Sequence, residues 1–175
     1  HHFATASGTS KGQFYTPAEV ARIMAKLIGV GAARAASQTI HDPTCGTGSL
    51  LLTAHDEAKG RTGKDLALYG QEIDNATAGL ARMNMILHDC PTAEIWQGNT
   101  LTSPHFKDSR TDELKTFDFV VASVPFSSES YAFLLHSIAC IRSTGKGAVI
   151  LPLSVLCQGD TEAAIRREIV ERGSI

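Results

Sequence analysis

Short apolar runs alternate with stretches whose apolar residues recur at helical spacing, and this alternation limits the fold more than any other feature of the chain. Thr39 to His41, Leu66 to Tyr69, Ala93 to Trp96, Phe117 to Ala122 and Ala148 to Leu151 read as strands. Ser49 to Lys59, Asn75 to His88 (with Leu80, Met83 and Leu87 on one face), Tyr131 to Ile141 and Asp160 to Arg172 read as helices. A further helix precedes the first strand. Thr16 reads as its N-cap with Pro17 at the first helical position, Val20, Ile23, Met24, Leu27 and Ile28 follow the helical period, and Gly29 can end it. Strands alternating with helices predict βαβ units, an α/β class with a mostly parallel sheet and helices on both faces. Ligands of such sheets bind outside the carboxyl ends of the strands, so the chemistry is expected in the loops that follow them. The last residues, Gly173-Ser174-Ile175, fall where another strand is due, which reads as a truncated sheet or one finished elsewhere.

Composition narrows the choice of function. The 175 residues suffice for one domain with a sizeable core; 43% are hydrophobic and 19% charged, a folded balance. The net charge of −2 excludes a self-sufficient polyanion binder, so a nucleic-acid partner would need positive field from other chains or domains. The scattered basic residues (Lys59, Arg61, Lys64, Lys107, Arg110, Arg166, Arg167) read as solvated surface. No apolar run reaches the roughly 20 residues of a membrane span, and His1-His2-Phe3-Ala4 lacks a signal-peptide pattern. Residues 1–11 read as a linker or the remnant of a preceding region, and residues 12–175 as one domain. Cys45, Cys90, Cys140 and Cys157 have spacings that match neither a zinc knuckle nor a disulfide framework, which suits reduced, mostly buried thiols in the cytoplasm.

The loop after the first strand reads Asp42-Pro43-Thr44-Cys45-Gly46-Thr47-Gly48. Its two glycines let backbone approach a ligand just ahead of a helix, although a plain tight turn would look the same. It lacks the Gly-Lys-Ser/Thr ending of a triphosphate loop, and Leu51 stands where the dinucleotide fingerprint needs a third glycine. After the second strand, Glu72 is spaced to accept both hydroxyls of a ribose, while Asp74 reads as the cap of the next helix. After the third, Asn99 reads equally as an adenine-edge contact or a turn residue. After the fourth, Ser123-Val124-Pro125-Phe126 places an aromatic ring at the end of the most apolar strand; by itself this reads as a core-covering phenylalanine.

Taken in order, Gly12-Gln13-Phe14-Tyr15-Thr16-Pro17, Asp42 to Ser49, Gly70-Gln71-Glu72-Ile73, Gly98-Asn99-Thr100-Leu101 and Phe117 to Ala122 closely resemble the methylation subunit of type I restriction-modification systems, an N6-adenine DNA methyltransferase. The likeness continues through Tyr131 to His136 and Gly147 to Pro152, and so covers nearly all the chain past Lys11. It implies a Rossmann-like S-adenosylmethionine-dependent methyltransferase fold. Gln13, Phe14, Tyr15, Thr16 and Pro17 would flank the methionine part of S-adenosyl-L-methionine. Thr44, Gly46, Thr47, Gly48 and Ser49 would wrap it, Glu72 would bind the ribose, and Asn99 with Leu101 would border the adenine. The sulfonium is a cation, which Tyr15 and Asp42 would favour. Expected partners are double-stranded DNA and the specificity and restriction subunits of the same system.

The family's catalytic loop reads Asn-Pro-Pro-Phe or Asn-Pro-Pro-Tyr. Its Asn oxygen and the next backbone carbonyl hold the target amino group, its aromatic ring stacks on a flipped base, and no metal is required. Here Phe126 can stack and the Val124 carbonyl can accept, but Ser123 carries no amide. Losing one positioned polar contact costs roughly a hundredfold in rate. The resemblance therefore implies either an adenine methyltransferase with weakened catalysis or a non-catalytic, S-adenosylmethionine-binding assembly subunit with a degenerate loop.

Overall fold

The computed structural model describes residues 16–32, 37–125, 127, 129–157, 159 and 161–173. Gln13, Phe14, Tyr15 and Phe126 lie outside these, as do the residues read as a linker. The described elements run α1 (Ala18–Ile28), a 3-10 turn (Val30–Ala32), β1 (Thr39–Asp42), α2 (Ser49–Thr62), β2 (Ala67–Glu72), α3 (Asn75–Leu87), β3 (Glu94–Gln97), β4 (Phe117–Ser123), α4 (Ser130–Ala139), β5 (Ile141–Ile150), α5 (Ser154–Cys157) and α6 (Thr161–Glu171).

The strands form a single five-stranded sheet in the order β3-β2-β1-β4-β5, and every pairing is parallel. The register aligns the carboxyl ends: Asp42 lies beside Gly70, Glu72 beside Gln97, and Ser123 beside Ile150. After β1 the chain builds outward through β2 and β3, then returns to lay β4 on the other side of β1. The strand order reverses between β1 and β4, and in sheets of this kind the crevice at such a switch point is where ligands bind.

Each face of the sheet has its own core. On one, Ile40, Phe119 and Val121 pack against Met24, Ala25 and Ile28 of α1, Leu51 and Ala54 of α2, and Ala81 and Met85 of α3. On the other, Phe106, Phe117, Val120 and Cys140 form a cluster, and Tyr131 and Leu134 of α4 meet Val155 and Ile169. Helices therefore cover both faces, as a parallel sheet requires.

Two helices differ from the sequence expectation. Pro17 occupies the N-cap of α1, one place before the first helical residue, with ψ at 142°, and the helix has no side-chain cap. Its ring fixes φ, and its carbonyl accepts the first helical bond from Ala21 at 3.0 Å. In α3 the aligned Leu80, Met83 and Leu87 are exposed, and Thr77, Ala78, Ala81 and Met85 are buried instead. Small residues win the inner face because α3 lies close over the loop after β1: a Cβ on Gly48 would collide with the Met85 methyl group. The strand β5 is also longer than its apolar core suggested. It begins at Ile141, with a register shift opposite Phe117–Phe119, and passes so near β4 that a Cβ on Gly145 would stand 2.8 Å from the Phe117 carbonyl oxygen. The single turn α5 had no counterpart in the sequence reading.

Candidate functional site

The loop after β1 is tied down by backbone. Cys45 N–H donates to the Gln71 carbonyl at 3.0 Å and Gly48 N–H to the Cys45 carbonyl at 2.8 Å. Gly46 and Gly48 adopt φ of 54° and 83°, conformations costly for a residue with a Cβ. Gly70 lets the loop lie against β2, since a Cβ there would be 2.8 Å from Cys45 Sγ. Gly48 closes the loop as the N-cap of α2, and Thr47 and Ser49 face one another with hydroxyl oxygens 3.1 Å apart.

Glu72, half-buried at the end of β2, bridges this loop to the next. Gly46 N–H donates to its Oε2 at 3.0 Å and Asp74 N–H to its Oε1 at 2.9 Å. One lone-pair direction remains on each oxygen for a further donor. Asp74 does cap α3, accepting from the Thr77 hydroxyl at 2.7 Å and from Thr77 N–H at 2.8 Å, which together hold its carboxyl below the usual range.

Asp42 is the most unusual group in the site. Its side chain is 1% exposed; Oδ1 accepts from Thr44 N–H at 2.9 Å, and Oδ2 is buried with no hydrogen-bond partner. Burial, opposed by the Thr44 bond and reinforced by the negative Glu72, raises its pKa to about 7. An orphaned carboxylate oxygen at a sheet's carboxyl edge is an acceptor prepared for a donor or cation from outside.

The Thr44 hydroxyl lies 3.3 Å from the Ser123 carbonyl oxygen, joining the loop after β1 to the end of β4 across the switch point. Val124 is buried against Ala122, Phe133 and Leu101, while Pro125 is exposed. Ser130 at the head of α4 donates its hydroxyl to the Ser127 carbonyl at 2.8 Å, and that oxygen also lies 3.2 Å from the Pro125 carbonyl. Asn99 Oδ1 accepts from Leu101 N–H at 2.9 Å and Thr102 N–H at 3.2 Å; of its two readings the turn is formed, and this oxygen is committed to it. Leu101 is half-buried beside the β4 loop. Thr16 and Pro17 stand at the amino end of α1, half-buried and exposed respectively.

Thr44, Gly46, Gly48, Glu72, Asn99 and Ser123 thus share one edge of the sheet. Three supporting residues carried no signal by type or spacing. Gln71, 1% exposed, donates to the Ser103 carbonyl and accepts from His105 N–H, anchoring the loop after β3. Thr100 bonds the Pro43 carbonyl at 2.6 Å, and Asn84 the Thr47 carbonyl at 3.0 Å. Their partners are far away in sequence, which only the fold reveals.

Comparison with known proteins identifies the family. The N-6 DNA Methylase family model matches residues 1–131 and 127–175. A type I restriction enzyme methylase subunit of Methanocaldococcus jannaschii (MjaVII) is 31% identical over 94% of this chain and 32% of its own length. The Mycoplasma pneumoniae MpnII methylase subunit is 26% identical over 99% of this chain and 37% of its own. The chain thus spans about a third of these curated relatives. The crystal structure of a type I restriction-modification methyltransferase subunit from Streptococcus thermophilus superposes with a TM-score of 0.80 at 32% identity, covering 98% of this chain and 41% of that one. From the β1 loop to β5, this chain belongs to the N-6 DNA methylase family.

Proposed function

We propose that residues 12–175 form the cofactor-binding and catalytic domain of a site-specific DNA adenine-N6 methyltransferase, the methylation subunit of a type I restriction-modification system. Its relatives bear the names of methylase subunits of such systems, which supports a multi-subunit assembly on double-stranded DNA with a specificity and a restriction subunit. Among the described residues no helix is long and apolar enough to cross a membrane.

One observation carries the reading: a glycine loop clipped to Glu72, with the unpartnered Asp42 oxygen beneath it. This fits S-adenosylmethionine, which supplies a methyl group on a positively charged sulfur. Gly46, Thr47, Gly48 and Ser49 would cradle it, Glu72 would take the ribose hydroxyls on its remaining lone pairs, and Leu101 would border the adenine beside the Asn99 turn. Asp42 would supply the negative charge that the ligand's cationic end needs, and Gln13 to Pro17 would close the pocket ahead of α1. The Val124 carbonyl would accept one hydrogen from the target amino group, the Ser123 hydroxyl a second, and Phe126 would stack on the flipped base. No general base is needed, because the amino group sheds its proton after the methyl has been attacked.

A second reading rests on Ser123 and Val124, which stand where the family's loop carries Asn and Pro: an assembly subunit that binds the cofactor without transferring methyl. Labelled methyl transfer to cognate DNA with the specificity subunit present decides between them. Label recovered as N6-methyladenine above a Glu72→Ala control establishes the enzyme. Cofactor binding without transfer establishes the assembly role. Preference for NAD over S-adenosylmethionine in calorimetry overturns both.

A further inference from the structure

Beneath α4, on the sheet face opposite α1–α3, His41, His136 and Cys140 each bring one potential ligand atom within 4.8 Å of the others. His136 and Cys140 sit one turn apart at the end of α4, with Nε2 3.5 Å from Sγ. His41 comes from β1, buried at 2% exposure. Its Nδ1 is 3.2 Å from the Tyr69 carbonyl oxygen, so a proton there makes that bond and leaves the Nε2 lone pair free. The ring is clamped, stacked on Phe117 at 4.5 Å and edge-on to Phe106 at 5.4 Å.

We propose that His41 Nε2, His136 Nε2 and Cys140 Sγ form a structural zinc site, with water in the fourth position on the half-buried His136 side. The donor set is two imidazoles and a thiol, the softer nitrogen and sulfur ligands that zinc takes and that magnesium and calcium do not. A ligand histidine whose other nitrogen donates to a backbone carbonyl is the usual outer-shell arrangement, because that bond fixes both tautomer and ring orientation. On binding, the Cys140 thiol releases its proton to solvent and its sulfur donates an electron pair to zinc. The ion would fasten the end of α4 to β1, one residue before Asp42. Lys115, whose ammonium lies 3.9 Å from the Tyr69 ring centre and 5.6 Å from that of Phe117, places an opposing charge nearby. Its replacement by Met is expected to tighten binding.

Cobalt(II) titration of the reduced full chain tests the site, since thiolate-bound cobalt gives a charge-transfer band and tetrahedral visible bands. One equivalent is expected to saturate these bands and one equivalent of zinc to erase them. Cys140→Ser removes the charge-transfer band, and His136→Gln, at a half-buried position the fold tolerates, weakens cobalt binding by more than about 100-fold. Cys157→Ser, at the exposed thiol, leaves the bands unchanged. No band, or a band that follows Cys157, overturns the proposal and leaves a thiol–imidazole hydrogen bond in a dry core.

Discussion

The loops after β1 and β4 meet at the same crevice but are built from different materials. The first is held by its own main chain: glycine conformations, main-chain bonds, and Asp42, Glu72, Asn84 and Thr100 bonding its amides and carbonyls. Such a loop tolerates change in many side chains while failing at a few points. The second offers its chemistry through one side chain and one carbonyl, so a single substitution such as Ser for Asn at position 123 alters its chemistry while β4 keeps its place in the sheet.

Experiments that strike the two loops separately sharpen this contrast. The largest effect is expected from Glu72→Ala, which removes the loop clip together with the ribose acceptor. Two charge-assisted bonds at about 1.5–3 kcal/mol each predict cofactor binding weaker by about a hundredfold to ten-thousandfold in calorimetry. Next comes the β4 loop: Ser123→Asn with Val124→Pro is expected to raise methyl transfer roughly a hundredfold at unchanged cofactor affinity. Equal losses or gains in binding and rate from either change would erase the distinction between the loops.

Asp42 gives a pH test confined to the first loop. Its pKa stands near 7 without a cation, and a cation beside Oδ2 favours the ionised form. Cofactor affinity is therefore expected to fall about tenfold from pH 8 to pH 6, and Asp42→Asn to flatten that dependence. The same group acts oppositely on folding. Because its pKa rises from 3.8 unfolded to about 7 folded, the unliganded protein loses stability as pH climbs between those values, and Asp42→Asn recovers up to about 4 kcal/mol at pH 8 in urea melts. The smallest effect belongs to Asn99→Ala. It removes the acceptor of a turn and costs about 1 kcal/mol of stability, with a change in cofactor affinity of only a few-fold.

Much of the scaffold was readable from residues alone. Each expected strand overlaps an observed one, because continuous apolar runs such as Phe117 to Ala122 suit only the middle of a covered parallel sheet. Helix faces were less readable. In α1 and α3 the periodic large residues Ile23, Leu27, Met83 and Leu87 are exposed; Met24 and Ile28 share the α1 contact with Ala21 and Ala25, and in α3 Thr77, Ala78 and Ala81 fill most of it because close approach selects for small size. Gly145 and Gly147 fell outside the expected strand, yet they lie within β5, where close passage past β4 leaves no room for a Cβ on Gly145. In the candidate site, Thr44, Gly46, Glu72 and Ser123 stood out because loops after strands are few and short. Gln71 and Thr100 did not, because a glutamine or threonine gains its role only from a carbonyl or amide brought to it by folding. Likewise His136 and Cys140 lie four residues apart on one helix, but His41 of β1 is brought to them only by folding.

The bond from the Thr44 hydroxyl to the Ser123 carbonyl uses main chain at position 123 and leaves its side chain outside the fastening. That makes position 123 a replaceable tool in a fixed handle: chemistry can be swapped there without unhitching one wall of the crevice from the other. Engineers seeking to silence, restore or redirect transfer in a protein of this architecture would therefore begin at that residue and leave Thr44 alone.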